Sequence, residues 1–173
     1  MWSAIPKFFA IVSRLAGRET PVPRQRPSQD ENELSQPHRI TIVALGVGDQ
    51  DHEFLARVSE RHQWNLHFAD TCGEAWIALN QLKAPIILCD RDLPGMEWRE
   101  VVRMMASSSH GACAVLVSRV VDNYLWREVI RRGGYDVLSK PLTEDDVVRS
   151  VRLAWSYWNS TMKTSPLPLK HYL

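Results

Sequence analysis

Residues 86–95 read Ile-Ile-Leu-Cys-Asp-Arg-Asp-Leu-Pro-Gly. Four apolar or small residues in a row leave no solvent face. A strand here must be buried on both sides, as interior strands of helix-covered parallel sheets are. Asp90 ends the run, and Pro94-Gly95 turns the chain soon after. A carboxylate therefore emerges at the carboxyl end of a buried strand, where open parallel sheets gather ligands and chemistry.

The surrounding pattern repeats strand and helix. Residues 40–45, 66–69, 86–89, 112–117 and 135–138 are predicted strands. The first predicted helix starts at Asp49 or Asp51, either of which is a candidate cap, and runs through Arg61 with Phe54, Leu55 and Val58 inward. The second covers 71–82 with Ala75, Trp76, Leu79 and Leu82 inward, and the third covers 98–105. Asp122 caps a fourth helix holding Leu125, Trp126, Val129 and Ile130, which Gly133-Gly134 terminates. Thr143 caps the last, from Glu144 to about Trp158. Five such alternations predict an α/β doubly wound parallel sheet, and right-handed crossovers leave few topologies. The flavodoxin-like five-stranded order is the one expected here.

Bulk properties narrow the function. The 173 residues suggest one ordinary domain with some extra chain. A net charge of +1 supplies no overall basic field for nucleic acid. No apolar run approaches the ~18 residues of a membrane span. Cys72, Cys89 and Cys113 are odd in number, far apart and without a CxxC, so neither a zinc knuckle nor a disulfide framework is supported. The expectation is a soluble, cytoplasmic protein. Gly46-Val47-Gly48 opens a dinucleotide fingerprint but places Asp51 where the third glycine belongs, so the motif fails. His38, His52, His62, His67, His110 and His171 lack ligand spacing. Cys89 is expected in the core. Of Trp155, Tyr157 and Trp158 near the last helix's end, some must pack and any exposed one would mark a contact surface.

Outside the alternating region, residues 1–37 differ in kind. Trp2, Ile5, Phe8, Phe9, Val12 and Leu15 fall at helical spacing among basic residues, and Pro21, Pro23, Pro27 and Pro37 mark a linker. A basic amphipathic helix can lie on a membrane surface or dock on a partner. It can equally pack on its own domain or be a tail. A secretory leader is disfavoured, because Pro6 interrupts the apolar part early. The organisation expected is 1–37 as segment and linker, 38–160 as the domain, and 161–173 as a tail too short for an output domain.

Three anchors in this order resemble response-regulator receiver domains over roughly residues 38–160. Asp90-Arg91-Asp92-Leu93-Pro94-Gly95-Met96 is similar to the phosphoacceptor strand end. Val137-Leu138-Ser139-Lys140-Pro141 is similar to the end of the fifth strand, and Lys140 aligns with the family's lysine. Ser118, after Val115-Leu116-Val117, takes the family's Ser/Thr position; a turn residue would also suit that place. The resemblance implies phosphoryl acceptance on Asp90, a cis Lys140-Pro141 peptide, and Lys140 and Ser118 contacting phosphoryl oxygens. It also implies Mg²⁺ held by Asp90 and the Asp92 backbone carbonyl. A histidine kinase or phosphotransfer protein would be the donor. The face formed by the fourth helix, fifth strand and fifth helix, here Tyr124, Arg127, Arg131, Asp145 and Arg149, would meet a downstream partner.

Several positions depart from the pattern. The family's acidic pair after the first strand is replaced by Leu45-Gly46 or Val47-Gly48. Asp49 could fold back as one metal ligand, although capping by Asp49 and Asp51 is the simpler reading. Weaker Mg²⁺ binding is the consequence. It is tempered by the loss of two like charges around Asp90. Arg119 could pair with Asp90, grip a phosphoryl group or point into solvent. Val137 lacks the family's aromatic switch ring, and Trp98 stands where glycine is common. The expected function is phosphorelay signalling through Asp90. The alternative is a pseudo-receiver that binds partners independently of phosphorylation. With no nucleophile–base pair or cofactor loop, an enzyme is not expected.

Overall fold

The computed structural model describes residues 39–164. The amphipathic segment, the Pro-rich linker, His38, His171 and the chain beyond Thr164 lie outside the described residues. In order the elements are β1 (Thr41–Leu45), α1 (Asp49–Arg61), β2 (Asn65–Ala69), α2 (Cys72–Leu82), β3 (Ile86–Asp90), α3 (Trp98–Ala106), β4 (Cys113–Ser118), α4 (Asn123–Arg131), β5 (Asp136–Ser139) and α5 (Glu144–Thr164). The strands pair in parallel in the order β2-β1-β3-β4-β5, the flavodoxin-like arrangement.

Burial follows from strand position. All residues of β3 and β4 are buried, as an uninterrupted apolar run requires of interior strands. Edge strand β2 instead alternates exposed and half-buried positions up to Ala69. The pleat divides β1 between two cores. Val43 and Leu45 join the cluster packed under α2, α3 and α4. Ile42 and Ala44 join Leu55, Val58, Val147 and Val151 under α1 and α5. Cys89 is fully buried in the first of these.

Helix starts are set by short-range hydrogen bonds. Thr71 and Glu74 form a reciprocal capping box on α2. Asp122 accepts from the Leu125 amide at 2.7 Å on α4. The Asp146 amide donates to Thr143 Oγ1 at 3.3 Å on α5. For α1 the expectation is corrected: the cap is Gly48, without a side-chain bond, and Asp49 and Asp51 lie inside the first turn. Three residues expected inward are also corrected. Leu82, Trp126 and Ile130 are exposed, because they fall at the margins of apolar stripes completed by Leu79, Leu125 and Val129. Finally, α5 continues past Trp158 to Thr164. Ser160 and Thr161 bond back to the Ser156 and Tyr157 carbonyls, and no breaker occurs before Pro166.

Candidate functional site

The carboxyl ends of β3, β4 and β5 and the first turn of α1 converge on Asp90. One Asp90 oxygen, Oδ1, accepts from the Asp92 amide at 3.0 Å, which fixes the carboxylate against the following turn. The other, Oδ2, accepts from Lys140 Nζ. Lys140 follows β5 directly across the cis Lys140–Pro141 step, and its amide donates to the Ser118 carbonyl at 2.9 Å. This anchors the lysine backbone one strand away from the acid. Nζ also lies 2.7 Å from Asp51 Oδ2 on α1. The side chains of Asp90, Lys140 and Asp51 are only 7%, 13% and 18% exposed, so the three charges neutralise one another largely out of water. Burial by itself would lower the Lys140 pKa. The hydrogen bonds and charges of Asp51 and Asp90 outweigh it and raise that pKa above the ordinary lysine value. Two carboxylates and one ammonium leave the cluster with one net negative charge.

Ser118 is buried at the end of β4 but is turned into its own loop. Its hydroxyl donates to the Val120 carbonyl at 2.8 Å and accepts from the Val120 amide at 3.2 Å. Arg91 Nη1 also approaches it, at 3.4 Å. Arg119 is 77% exposed and sits 3.9 Å from Asp92 Oδ2, so its partner is Asp92 rather than Asp90. An open cleft of about 390 Å³ runs beside the cluster, lined by Gln50, Asp51, Arg119, Lys140 and Pro141. Val137 is half-buried against the core under α2, α3 and α4. Trp98 is nearly buried at the start of α3, with the Arg99 guanidinium 4.5 Å from its ring centre.

The receiver fold implies a divalent cation held by carboxylates, and the residues present do not fit one. Among the described residues no group of three or more His, Cys, Asp or Glu side chains converges on one point. The two acids that meet, Asp51 and Asp90, share a lysine ammonium instead. Asp49 is exposed on the opposite side of the first turn of α1. At Gly46, one of the positions after β1 where an acid could stand, φ is +66° and a Cβ would lie 2.1 Å from Leu93 Cδ2, whereas Gly48 is extended with open space around it. The space at Gly46 is filled by Leu93, and the backbone conformation there is one that side-chain-bearing residues rarely take.

Asp90 and Lys140 are thus brought together, whereas Ser118, Arg119 and Val137 stand around them without touching the carboxylate. Two residues gain importance. Asp51 was readable: with Leu55 and Val58 it occupies positions i, i+4 and i+7, the buried stripe of α1. Asp49, two residues earlier, falls on the far side of the helix for the same reason. Arg91 carried no such signal, because its reach to Ser118 depends on the path of the loop.

No protein-family model matches this chain, and no curated protein does. Solved structures do match. A two-component response regulator from Clostridium difficile is 19% identical with a TM-score of 0.61, covering 70% of this chain and 99% of its own. The signal receiver domain of an HD domain-containing protein from Pseudomonas fluorescens Pf-5 is 20% identical with a TM-score of 0.66, covering 73% and 94%. That of a putative Luxo repressor protein from Vibrio parahaemolyticus is 16% identical with a TM-score of 0.66, covering 75% and 99%. At these identities the likeness is one of fold, and the fold is that of response-regulator receiver domains.

Proposed function

We propose that this domain is a receiver module of phosphorelay signalling, with Asp90 as phosphoacceptor. One observation carries the reading: a nearly buried carboxylate at the end of the central strand is hydrogen-bonded by the lysine that follows β5. In the transfer, a carboxylate oxygen of Asp90 forms the new P–O bond. The bond from phosphorus to the donor's imidazole nitrogen or acyl oxygen breaks, and the leaving group keeps that electron pair. Such transfers depend mainly on positioning and charge neutralisation. The Asp92 amide orients Asp90, and Lys140 offsets the anion. The donor is a histidine kinase or phosphotransfer protein. The new charge is read by a protein partner on the surface of α4, β5 and α5, where Tyr124, Arg127, Arg131, Asp145 and Arg149 are exposed. The role is signalling rather than catalysis of a metabolic reaction. Among the described residues no helix is long and apolar enough to cross a membrane, and the proposed location is the cytoplasm.

The test is intact mass after incubation with acetyl phosphate, beside Asp90→Ala. Gain of one phosphoryl group, lost in the variant, is the expected result. Incorporation that survives the substitution would remove Asp90 from the role. A second reading, the phosphorylation-independent interaction module, draws on Ser118, whose hydroxyl is already committed to Val120. It predicts no mass gain from acetyl phosphate or a phosphorylated histidine donor, and partner affinity unchanged by Asp90→Ala.

A further inference from the structure

The acids of this site are arranged around an ammonium group, and that arrangement has a consequence for metals. We propose that Lys140 is the resident cation of the site, held there by Asp51 as a positioning residue, and that it excludes the divalent ion. The inference rests on reading this cleft as the acceptor site, but its central test does not need phosphorylation to occur.

The geometry argues as follows. Lys140 Nζ bonds oxygens of Asp51 and Asp90 together, and the three side chains are mostly shielded from water. Two oxygens within hydrogen-bonding reach of one nitrogen are close enough for one small ion to touch both. Mg²⁺ requires oxygens at about 2.0–2.1 Å in a near-octahedral shell. An ion at that point and the lysine ammonium cannot occupy it together, and like charges that close repel strongly. Alternatives for the resident charge are weaker. Arg119 is mostly exposed and faces Asp92. Arg91 reaches Ser118 and, among the described residues, bonds neither acid of the cluster. Nor can an acid simply be supplied at position 46, where the glycine is left-handed and covered by Leu93.

Asp51 matters because it makes the lysine's position two-sided. Asp90 alone would hold Nζ from β3, leaving the long side chain free to swing into the neighbouring cleft. With Asp51 on the rigid first turn of α1, the ammonium is fixed between two elements. Removing the ammonium leaves two nearly buried carboxylates without a counter-charge, which is the condition that favours capturing another cation.

The experiment measures Mn²⁺ binding to the full chain by water-proton relaxation or electron paramagnetic resonance. Four proteins are compared: wild type, Lys140→Met, Lys140→Gln, and Lys140→Gln with Asp51→Asn. Wild type is expected to show no saturable binding below the millimolar range. Both lysine variants should bind at least about tenfold more tightly, and the added Asp51→Asn should cancel the gain. Saturable Mn²⁺ binding by wild type below the millimolar range would overturn the proposal. That arm uses the unmodified chain, so misfolding of a variant does not protect the idea. Folded lysine variants that gain no affinity, or a gain indifferent to Asp51→Asn, would overturn it as well. In the acetyl phosphate assay the companion result is equal incorporation with EDTA and with Mg²⁺; strict Mg²⁺ dependence in wild type would count as a refutation. No incorporation under any condition defeats the acceptor reading, while the Mn²⁺ comparison still decides whether Lys140 excludes the ion.

Discussion

At the carboxyl end of the sheet, Asp51, Asp90 and Lys140 put three formal charges in a space nearly closed to water. At the opposite end the fastenings are neutral. Trp158 Nε1 donates to the His110 carbonyl at 2.8 Å, His110 Nε2 bonds the Ala84 carbonyl at 3.1 Å, and Cys113 Sγ meets the Ala154 carbonyl. Tyr135, Tyr157 and Trp158 line an apolar groove there, near the last turns of α5. The same strands run between the two ends, so the difference lies in what side chains must do where the ladder stops. Neutral groups stabilise one end and leave it unresponsive until its buried thiol titrates. Mutually dependent charges stabilise the other and leave it responsive to any change in charge.

The largest test of that contrast is Lys140→Ala in the presence of EDTA. It strands two shielded carboxylates and should lower stability by about 3 kcal/mol in urea unfolding. A loss under about 1 kcal/mol would mean that water already screens the cluster. Next is Gly46→Asp, which forces a left-handed residue against Leu93; about 2 kcal/mol should be lost, with no tighter Mn²⁺ binding. Tighter binding would show that the loop can rebuild.

Alkaline pH separates the ends by window, the sign being the same at both. Burial raises the Cys113 thiol to about 11 from an ordinary value of 9.0. Its contribution is therefore complete below about pH 9 and falls as pH rises towards 11, by about 1.4 kcal/mol per unit. Lys140, also raised, begins to lose its contribution only above its ordinary value of 10.5. Stability followed by denaturant titration should thus decline from about pH 9, and Cys113→Ala should reduce the slope. The residual slope belongs to Cys89 and Cys72, whose thiols burial likewise raises, joined above about pH 10 by Tyr135. An unchanged slope in Cys113→Ala would deny the neutral end this sensitivity. Trp158→Phe removes one indole hydrogen bond and should cost about 1 kcal/mol. Arg119→Ala, which breaks only an exposed contact with Asp92, should change stability by less than about 0.5 kcal/mol.

The sequence was most readable where one physical requirement acted alone. The run from Ile86 to Cys89 admits only a covered strand, and the caps of Asp122 and Thr143 are each closed within four residues. Asp90 and Lys140 could be paired through the receiver resemblance, which fits parallel strands delivering their ends to one edge. Trp126 and Ile130 misled because apolar spacing states which side chains are candidates for burial, not how wide the covering surface is. Asp51 was harder for another reason: an acid in a first helical turn already has an adequate local explanation in the helix dipole. Only its shared stripe with Leu55 and Val58 points it inward. Arg91 and the orientation of Ser118 were beyond reach, since both depend on loop paths after β3 and β4 that no periodicity encodes.

Leu93 lying over Gly46 also bears on which neighbouring sequences are accessible to this chain. To acquire an acid at position 46, it must exchange the glycine, relax a left-handed bend and shrink or redirect Leu93. It must also release Lys140 from Asp51 before the new acid has an ion to hold. An acid placed at 46 before the other changes strains the bend and meets Lys140 instead of an ion, so a path through that position meets a barrier at its first step. The lysine-centred pocket is in that sense a ratchet at this position.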